Sequence, residues 1–187
     1  MTATRSDEAV IVRSMEHPES FGVLFERHHG LVHNYLRRRV GAGLADDLAA
    51  EVFARAFRTR GRYRPLTADA RPWLLGIATK IVADHRRDEA RALRAWQRCA
   101  ATAVRGGEAS APLERELCGH LAAGLRRLSR GDREALLLLA WGELSYAEIS
   151  AALQVPIGTV RSRIHHARGQ ISKQLPLPAS TLGEAHA

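Results

Sequence analysis

Apolar residues recur at helical spacing wherever this chain carries enough of them to build a core. One such segment begins at Phe21, a second at Leu44 and a third after Pro72, and a run of leucines from Leu113 continues the pattern. No stretch alternates apolar and polar residues as a half-buried strand would. Because helices bury every third or fourth residue whereas strands bury every second one, this pattern predicts an all-α fold.

The helical pattern fades in one place, where the sequence RGGEASAP supplies glycine, serine and proline. Such a composition is typical of a flexible linker, so we expect two small helical domains on either side of it. The expected parts are a first domain at 20–90, the linker at 91–112, a second domain at 113–175, and flexible tails at 1–19 and 176–187. Small domains bury a smaller share of their surface than large ones, so a partner is expected to help hold them.

Two short helices joined by a tight turn are predicted in LSYAEISAALQVPIGTVRSRIHHARGQ, residues 144–170. Ser145 and Glu148 form a capping box, which starts the first helix. Pro156 separates the two helices, because the residue before a proline avoids helical angles whereas the proline itself suits the first turn of a new helix. The segment therefore has the local signals of a helix-turn-helix, two short helices joined by a tight turn.

The second of these helices has a basic outer face. Val160 and Ile164 point inward together, which leaves Arg161, Ser162, His165 and Arg168 facing outward. A basic second helix is the element that a helix-turn-helix places in the major groove of DNA. On spacing alone, a helical hairpin with a solvated basic face remains an alternative.

The overall charge also favours an anionic partner. The net charge is +8 and the pI is about 10.6, which suits nucleic acid, although an acidic protein or a membrane surface would suit it too. No acidic residue occurs from Val52 to Ala68. The arginines of this stretch lie on both sides of Tyr63 and are Arg55, Arg58, Arg60, Arg62 and Arg64. Arginines bind phosphates and an aromatic ring stacks on unpaired bases, so this stretch is either a platform for a single strand or a solvated basic loop. Trp73, at an apolar helical position, is expected in the core.

Histidines raise the alternative of a metal-dependent enzyme. His29 and His33 lie one helical turn apart and could share a metal, and the pair Asp84-His85 is similar to one found in metal hydrolases. No third ligand or general base falls at matching spacing. The sequence therefore predicts neither an enzyme nor a site for a metal or another cofactor.

The chain carries no sign of a membrane segment or an export signal. No apolar run approaches the roughly 20 residues needed to span a bilayer, and MTATRSDEAV lacks the hydrophobic core of a signal peptide. Cys99 and Cys118 are too far apart for a zinc pattern and are expected to be free thiols in a reducing compartment. A soluble cytoplasmic protein without membrane insertion is predicted.

Taken in order, the motifs resemble a known family. FERHHGLVHNYLRRRV, ADDLAAEVFARAF, RPWLLGIATKIVADHRR and LSYAEISAALQVPIGTVRSRIHHAR are similar to the extracytoplasmic-function (ECF) sigma factors, a branch of the sigma-70 family of bacterial RNA polymerase sigma factors. The resemblance implies a non-catalytic protein that directs promoter-specific transcription initiation by recognising the minus-thirty-five and minus-ten elements and helping to melt the latter. It implies core RNA polymerase, promoter DNA and an anti-sigma factor as partners, and a monomer when free.

The resemblance also assigns residues in the first domain. It implies that a polymerase-binding helix contributes Asp46, Asp47, Leu48, Glu51 and Phe53. It implies contacts to minus-ten DNA, including a base flipped out of the duplex, from Arg60, Arg62, Tyr63, Arg64, Lys80, Asp84, Arg86 and Arg87. Lys80 departs from the asparagine of many relatives, and a lysine holds phosphate but reads bases less selectively.

In the second domain, the resemblance implies that the predicted recognition helix reads the minus-thirty-five element. The implied contacts come from Pro156, Ile157, Gly158, Thr159, Arg161, Ser162, Arg163, His165, His166 and Arg168. The alternative function is a helix-turn-helix regulator that binds an operator independently of core polymerase. Such regulators usually dimerise on paired half-sites, and the sequence shows no heptad pattern or obvious dimer face.

Overall fold

A computed structural model describes residues 6–64, 69–97 and 123–173 of the chain. The α-helices are α1 (Asp7–Arg13), α2 (Gly22–Val40), α3 (Ala42–Thr59), α4 (Arg71–Gln97), α5 (Arg130–Ala140), α6 (Tyr146–Leu153) and α7 (Ile157–Ser172). Short 3-10 helices occupy Pro18–Phe21 and Arg60–Arg62. No strand occurs within the described ranges, so the predicted all-α fold is confirmed.

The first domain is a bundle in which α2, α3 and α4 pack against one another. Its core consists of fully buried aliphatic side chains from all three helices, among them Leu24, Val32, Leu36, Val52, Leu74 and Val82. Each helix contributes residues at the helical spacing from which it was predicted. Ser20 precedes α2 without capping it, because its hydroxyl accepts a hydrogen bond from Arg13 Nε at 3.2 Å and Phe21 takes the cap position.

The N-terminal segment differs from the expected flexible tail at residues 1–19. Ser6 caps α1 by accepting a hydrogen bond from the amide of Ala9 at 3.3 Å, and Val10 and Ile11 of this helix are buried in the core of the first domain. A helix this short is marginal on its own, so packing against the bundle is what stabilises it. The sequence pattern was too short to predict it.

The second domain confirms the predicted helix-turn-helix. Both halves of the capping box are present: Ser145 Oγ accepts from the amide of Glu148 at 3.3 Å, and the Ser145 amide donates to the Glu148 carboxylate at 2.8 Å. Gln154 ends α6 in the left-handed conformation, with φ 56° and ψ 46°. Val160 and Ile164 of α7 are buried as predicted.

The two domains pack directly against each other. Gly76 of α4 lies against α6 so closely that a Cβ added there would come within 2.5 Å of the Ala152 carbonyl oxygen. Arg39 of α2 donates two hydrogen bonds to the Glu134 carboxylate of α5, at 2.6 and 2.8 Å, and both side chains are buried. Arg39 also donates to the hydroxyl of buried Tyr35 at 2.6 Å. The domain contact therefore includes both close backbone packing and a buried ion pair.

The expected linker at 91–112 is only partly described. Its first residues continue α4, which extends to Gln97, and residues 98–122 and 174–187 lie outside the described ranges. The first leucines of the run from Leu113 and the C-terminal tail belong to those segments. Residues 123–127, where the description resumes, are helical.

Candidate nucleic-acid interface

A groove of about 420 Å³ lies where the predicted single-strand platform meets the start of α4. The rings of Tyr63 and Trp73 form one wall, with their centroids 4.9 Å apart. The basic side chains that line it are Arg55, Arg62, Arg64 and Lys80. An aromatic pair in contact, with its rings tilted by 53° and surrounded by cations, matches the two needs of an unpaired nucleic-acid strand, a planar surface for bases and positive charge for phosphates.

The aromatic wall is half-buried and neutral. Burial raises the pKa of the Tyr63 phenol, and the nearby carboxylates of Asp7, Glu8 and Asp69 raise it further. The phenol therefore keeps its proton at neutral pH and remains a hydrogen-bond donor. Trp73, expected in the core, is only partly buried and lines the groove with its neighbour.

One of the arginines predicted to bind the minus-ten strand, Arg60, instead makes contacts within the protein. Arg60 Nη1 donates to the Phe57 carbonyl at 2.6 Å, its Nε donates to the Ser14 carbonyl at 3.3 Å, and its guanidinium lies 3.8 Å from the centre of the Phe57 ring. These contacts hold the turn after α3. Arg60 does not line the groove, so its predicted role in direct strand contact does not fit this structure.

Residues of α4 beyond Lys80 also lie away from the groove. Asp84 pairs with Arg87 and lies 3.6 Å from Arg55 Nη1, and Arg86 donates to the Arg39 carbonyl at 3.0 Å. Asp84 and Arg87 line a separate cavity between α3 and α4. The structure thus brings Arg62, Tyr63, Arg64 and Lys80 together and places Asp84, Arg86 and Arg87 elsewhere.

The helix predicted to bind polymerase divides into an exposed and a buried face. Asp46 and Asp47 are exposed, and the Asp46 carboxylate lies 3.2 Å from His33 Nε2. Glu51 accepts a hydrogen bond from Arg55 at 2.9 Å. Leu48 and Phe53 are buried in the domain core, at 7% and 5% exposure, so they support the helix rather than present it to a partner.

The predicted recognition helix presents most of its expected residues to solvent. Arg161, Ser162, His165, His166 and Arg168 are exposed on α7, and its N-terminal turn at Pro156, Ile157, Gly158 and Thr159 has no side-chain cap. An uncapped helix start carries a partial positive charge that suits phosphate. Thr159 and Arg163 are only partly exposed. The Arg163 guanidinium turns back onto α5, where a Cβ added at Gly131 would lie 2.9 Å from it.

The histidines considered as metal ligands belong to an aromatic row. The rings of His29 and His33 stack at 5.8 Å, and Phe25 lies 4.7 Å from His29. In the part of the chain that the structure describes, no group of three or more His, Cys, Asp or Glu side chains could hold a metal ion. Within the same residues, no helix has both the length and the hydropathy that crossing a membrane requires.

Some features of the site were not predicted from the sequence. Ala151, Ala152 and Gln154 at the end of α6 form the far side of the groove, which places the second domain against the predicted strand site. No local sequence signal identifies such a contact, because it depends on how two separate domains pack.

Comparison with family models gives a match in each domain. Residues 24–92 match the model of Sigma-70 region 2, and residues 121–171 match that of Sigma-70, region 4. The two matches cover most of the described helices. The first contains the aromatic pair and the acidic face of α3, and the second contains the helix-turn-helix.

Curated proteins of similar sequence match this chain over nearly their whole length. The chain is 34% identical to the ECF RNA polymerase sigma factor SigC of Mycobacterium tuberculosis, over 90% of this chain and 92% of that protein. It is 30% identical to the ECF RNA polymerase sigma-E factor of Escherichia coli, over 94% of this chain and 97% of that one.

Two solved structures have a similar fold. One is CnrH in complex with the cytosolic domain of CnrY, with a TM-score of 0.63 and 22% identity, covering 90% of this chain and 96% of that one. The other is the sigma factor RpoE of Bartonella quintana in complex with the anti-sigma factor NepR, with a TM-score of 0.59 and 19% identity, covering 83% and 96%. At such identities the likeness concerns the fold alone.

Proposed function

The chain belongs to the extracytoplasmic-function sigma factors of the sigma-70 family, and from that premise we propose which of its surfaces performs each step. A sigma factor binds core RNA polymerase and directs promoter-specific transcription initiation. Members of this family are non-enzymatic initiation factors, so we assign RNA synthesis to the polymerase, and recognition and strand capture to this chain. We place its action in the cytoplasm, where the polymerase meets the chromosome.

The polymerase contact is assigned to the exposed acidic edge of α3. Asp46 and Asp47 project into solvent, whereas buried Leu48 and Phe53 keep the helix in place. Exposed carboxylates on a rigid helix suit a complementary basic surface, because charge complementarity favours association without requiring the fold to change. Glu51, held by Arg55, lies at the margin of this surface.

The minus-ten strand is assigned to the groove between Tyr63, Trp73 and Lys80. The observation that carries this assignment is the aromatic pair, half-buried and enclosed by Arg62, Arg64 and Lys80. Bases released from the duplex would stack on the rings while the cations hold their phosphates. Bases can stack in this groove only after they unpair, so binding there would stabilise melted DNA relative to the duplex.

Replacing Tyr63, Arg64 and Lys80 together by alanine tests this assignment. All three lie at the groove surface, so we expect normal binding to core polymerase and loss of run-off transcription from a duplex promoter. Loss of one stacked base costs about 1–3 kcal/mol, or about 5- to 150-fold in open-complex stability. Permanganate footprinting measures strand opening directly, and a pre-melted template should rescue transcription. Normal opening on duplex DNA would contradict the assignment.

The minus-thirty-five element is assigned to the exposed face of α7. Arg161 and Arg168 supply phosphate contacts, and His165 and His166 lie beside each other with ring centroids 6.1 Å apart. Arg163 is left out because it packs on α5. The uncapped start of α7 would approach the DNA backbone while the helix enters the major groove.

Substituting His166→Arg is expected to change the preferred base at one position of the upstream element. The arginine fork binds guanine in two places, which a single imidazole does not, and a good pair of this kind is worth about 1–3 kcal/mol. Selection from randomised upstream elements measures the change. Arg161→Ala serves as the comparison, since losing a phosphate contact should weaken all sequences alike. An unchanged sequence preference in His166→Arg would show that this side chain does not face the bases.

Use of both DNA surfaces requires the two domains to separate. The minus-ten and minus-thirty-five elements are about 25 base pairs apart, which at about 3.4 Å per pair is about 85 Å. In this structure α6 of the second domain forms one side of the minus-ten groove. We infer that the described arrangement is a closed form and that promoter engagement requires an open one. An anti-sigma factor, as in the RpoE–NepR complex, is the partner we propose for the closed form.

A further inference from the structure

A buried carboxylate on α1 fixes the start of α4. Asp7 is 5% exposed, and its Oδ2 accepts hydrogen bonds from the Ala70 amide at 2.9 Å and from His28 Nε2 at 2.7 Å. Its other oxygen accepts from Arg27 Nη1 at 2.9 Å. Ala70 is itself fully buried and immediately precedes α4, so the backbone at that point is tied to α1.

The charged form of this carboxylate is the one the site stabilises. Burial by itself would raise the pKa of Asp7, but the hydrogen bonds from Ala70, Arg27 and His28 outweigh it and hold the pKa below its usual value. An ionised acceptor makes stronger hydrogen bonds than a neutral one. Asp7 is therefore a strong anchor for a backbone amide that has no helical partner of its own.

The C-terminal end of α1 contacts the turn that carries the other ring, that of Tyr63. The Ser14 carbonyl, just after this helix, accepts from Arg60 Nε at 3.3 Å. Met15 packs on Gly61, where an added Cβ would lie 3.3 Å from the methionine methyl. These contacts hold the short 3-10 helix that ends immediately before Tyr63.

The segment from Asp7 to Met15 thus bridges the two backbone pieces that carry the aromatic wall. Its first residue holds Ala70, in the turn before Trp73, and its last residues hold the turn before Tyr63. The distance between the two rings is consequently set from both sides by one short segment. None of its residues lines the groove, so the segment acts through the rings rather than on DNA.

We propose that this segment, with Asp7 as its anchor, is a positioning element for the minus-ten strand: it holds Tyr63 and Trp73 in the arrangement on which an unpaired base stacks. The proposal rests on the function assigned above to the groove. It gives the N-terminal helix a role in strand capture, separate from binding to polymerase or to the upstream element.

The test compares Asp7→Asn with the neighbouring Glu8→Gln in polymerase holoenzyme. Both changes remove one carboxylate close to Tyr63, but only Asp7 is buried and bonded to Ala70. The probe is a labelled single-stranded oligonucleotide carrying the minus-ten sequence. We expect Asp7→Asn to weaken its binding about five- to tenfold, a part of what one stacked base contributes, and Glu8→Gln to leave it unchanged. Core-polymerase affinity should be unchanged in both.

Repeating the substitution in a Tyr63→Ala background separates positioning from general destabilisation. If Asp7 acts by holding the two rings at a fixed distance from each other, Asp7→Asn should have almost no further effect once one ring of the pair is absent. An undiminished effect in that background, or wild-type strand binding by Asp7→Asn alone, would overturn the proposal. Wild-type strand binding by Tyr63→Ala would instead overturn the function assigned to the groove, and this proposal with it.

A second variant covers the case in which Asp7→Asn does not fold. Met15 is 53% exposed, so Met15→Ala removes the contact with Gly61 without opening a cavity in the core. We expect a smaller loss of strand binding, about two- to threefold, again absent in the Tyr63→Ala background. Unchanged strand binding by Met15→Ala would contradict the bridging role of the segment.

Discussion

Asp47→Arg is expected to abolish assembly with core polymerase and therefore all promoter-directed transcription by this chain. Asp47 is exposed on α3 and carries no structural ion pair among the described residues, so the substitution should leave the fold intact. If this surface meets basic residues of the polymerase, as proposed above, a positive charge here replaces attraction by repulsion, which costs several kcal/mol at an interface. Co-purification with core polymerase measures assembly, and circular dichroism checks the fold.

The matched control for Asp47→Arg is Glu16→Arg. Glu16 is also exposed and acidic, so the two variants change the net charge equally. It lies after α1, next to Met15, which contacts Gly61 beyond the far end of α3 from Asp47. We expect Glu16→Arg to assemble and transcribe as the wild type does. Wild-type polymerase affinity in Asp47→Arg, or equal loss in both variants, would show that the acidic edge of α3 is not the specific contact.

The helix-turn-helix could be predicted from the sequence because its signals are local. The capping box at Ser145 and Glu148, the break at Pro156 and the inward pair Val160 and Ile164 each act within a few residues. Local propensity and burial agree throughout this segment, and such agreement makes a sequence pattern reliable. The exposed face of α7 then follows from geometry, apart from Arg163, whose contact with α5 is tertiary.

In the strand groove, the sequence predicted the types of residue better than their individual roles. Arginines interleaved with an aromatic do form a basic surface, but Arg60 stacks on Phe57 and binds two backbone carbonyls instead of facing the groove. An arginine has a long side chain and several donors, so the nearest unpaired carbonyls decide its direction. That information exists only once the chain has folded.

The domain contact had no sequence signal at all. Arg39 stands in RRRVGAG at the end of α2, where basic residues favour the helix dipole and are usually solvated. Its neighbours Arg37 and Arg38 are exposed, whereas Arg39 points into the domain boundary and meets Glu134. Nothing in the local pattern distinguishes the three arginines, because the partner lies in the other domain.

Glu134→Gln is expected to shift the free protein from the closed form to the open one. The substitution leaves the buried Arg39 guanidinium without its counter-charge, and breaking one side of a buried ion pair costs about 3–5 kcal/mol. The open form escapes this cost, because separation of the domains exposes both side chains to water. The closed form should therefore lose about 100- to 4,000-fold in relative population. Small-angle scattering should show a larger radius of gyration.

The same variant should bind the minus-ten single strand better than the wild type when free of polymerase. In the closed form α6 covers one side of the groove, so opening increases the fraction of molecules that can accept the strand. This result would link the domain contact to DNA access, and scattering alone would not. Unchanged dimensions together with unchanged strand binding would show that the ion pair does not hold the closed form.

Two further variants separate loss of the ion pair from loss of packing. Arg39→Met combined with Glu134→Leu replaces the pair by apolar side chains and should stay closed, since such replacements are often neutral or stabilising. Gly76→Ala keeps the ion pair but places a Cβ 2.5 Å from the Ala152 carbonyl oxygen, so it should open the protein. Its control is Gly30→Ala, which should stay closed because an added Cβ there has nothing within 4 Å. If the apolar pair opened the protein as Glu134→Gln does, the charge interaction itself would be the essential contact. A helix favours alanine over glycine by about 1 kcal/mol, so Gly76→Ala should not weaken α4 itself. Opening by this variant would therefore show that close packing of α4 on α6 is required as well.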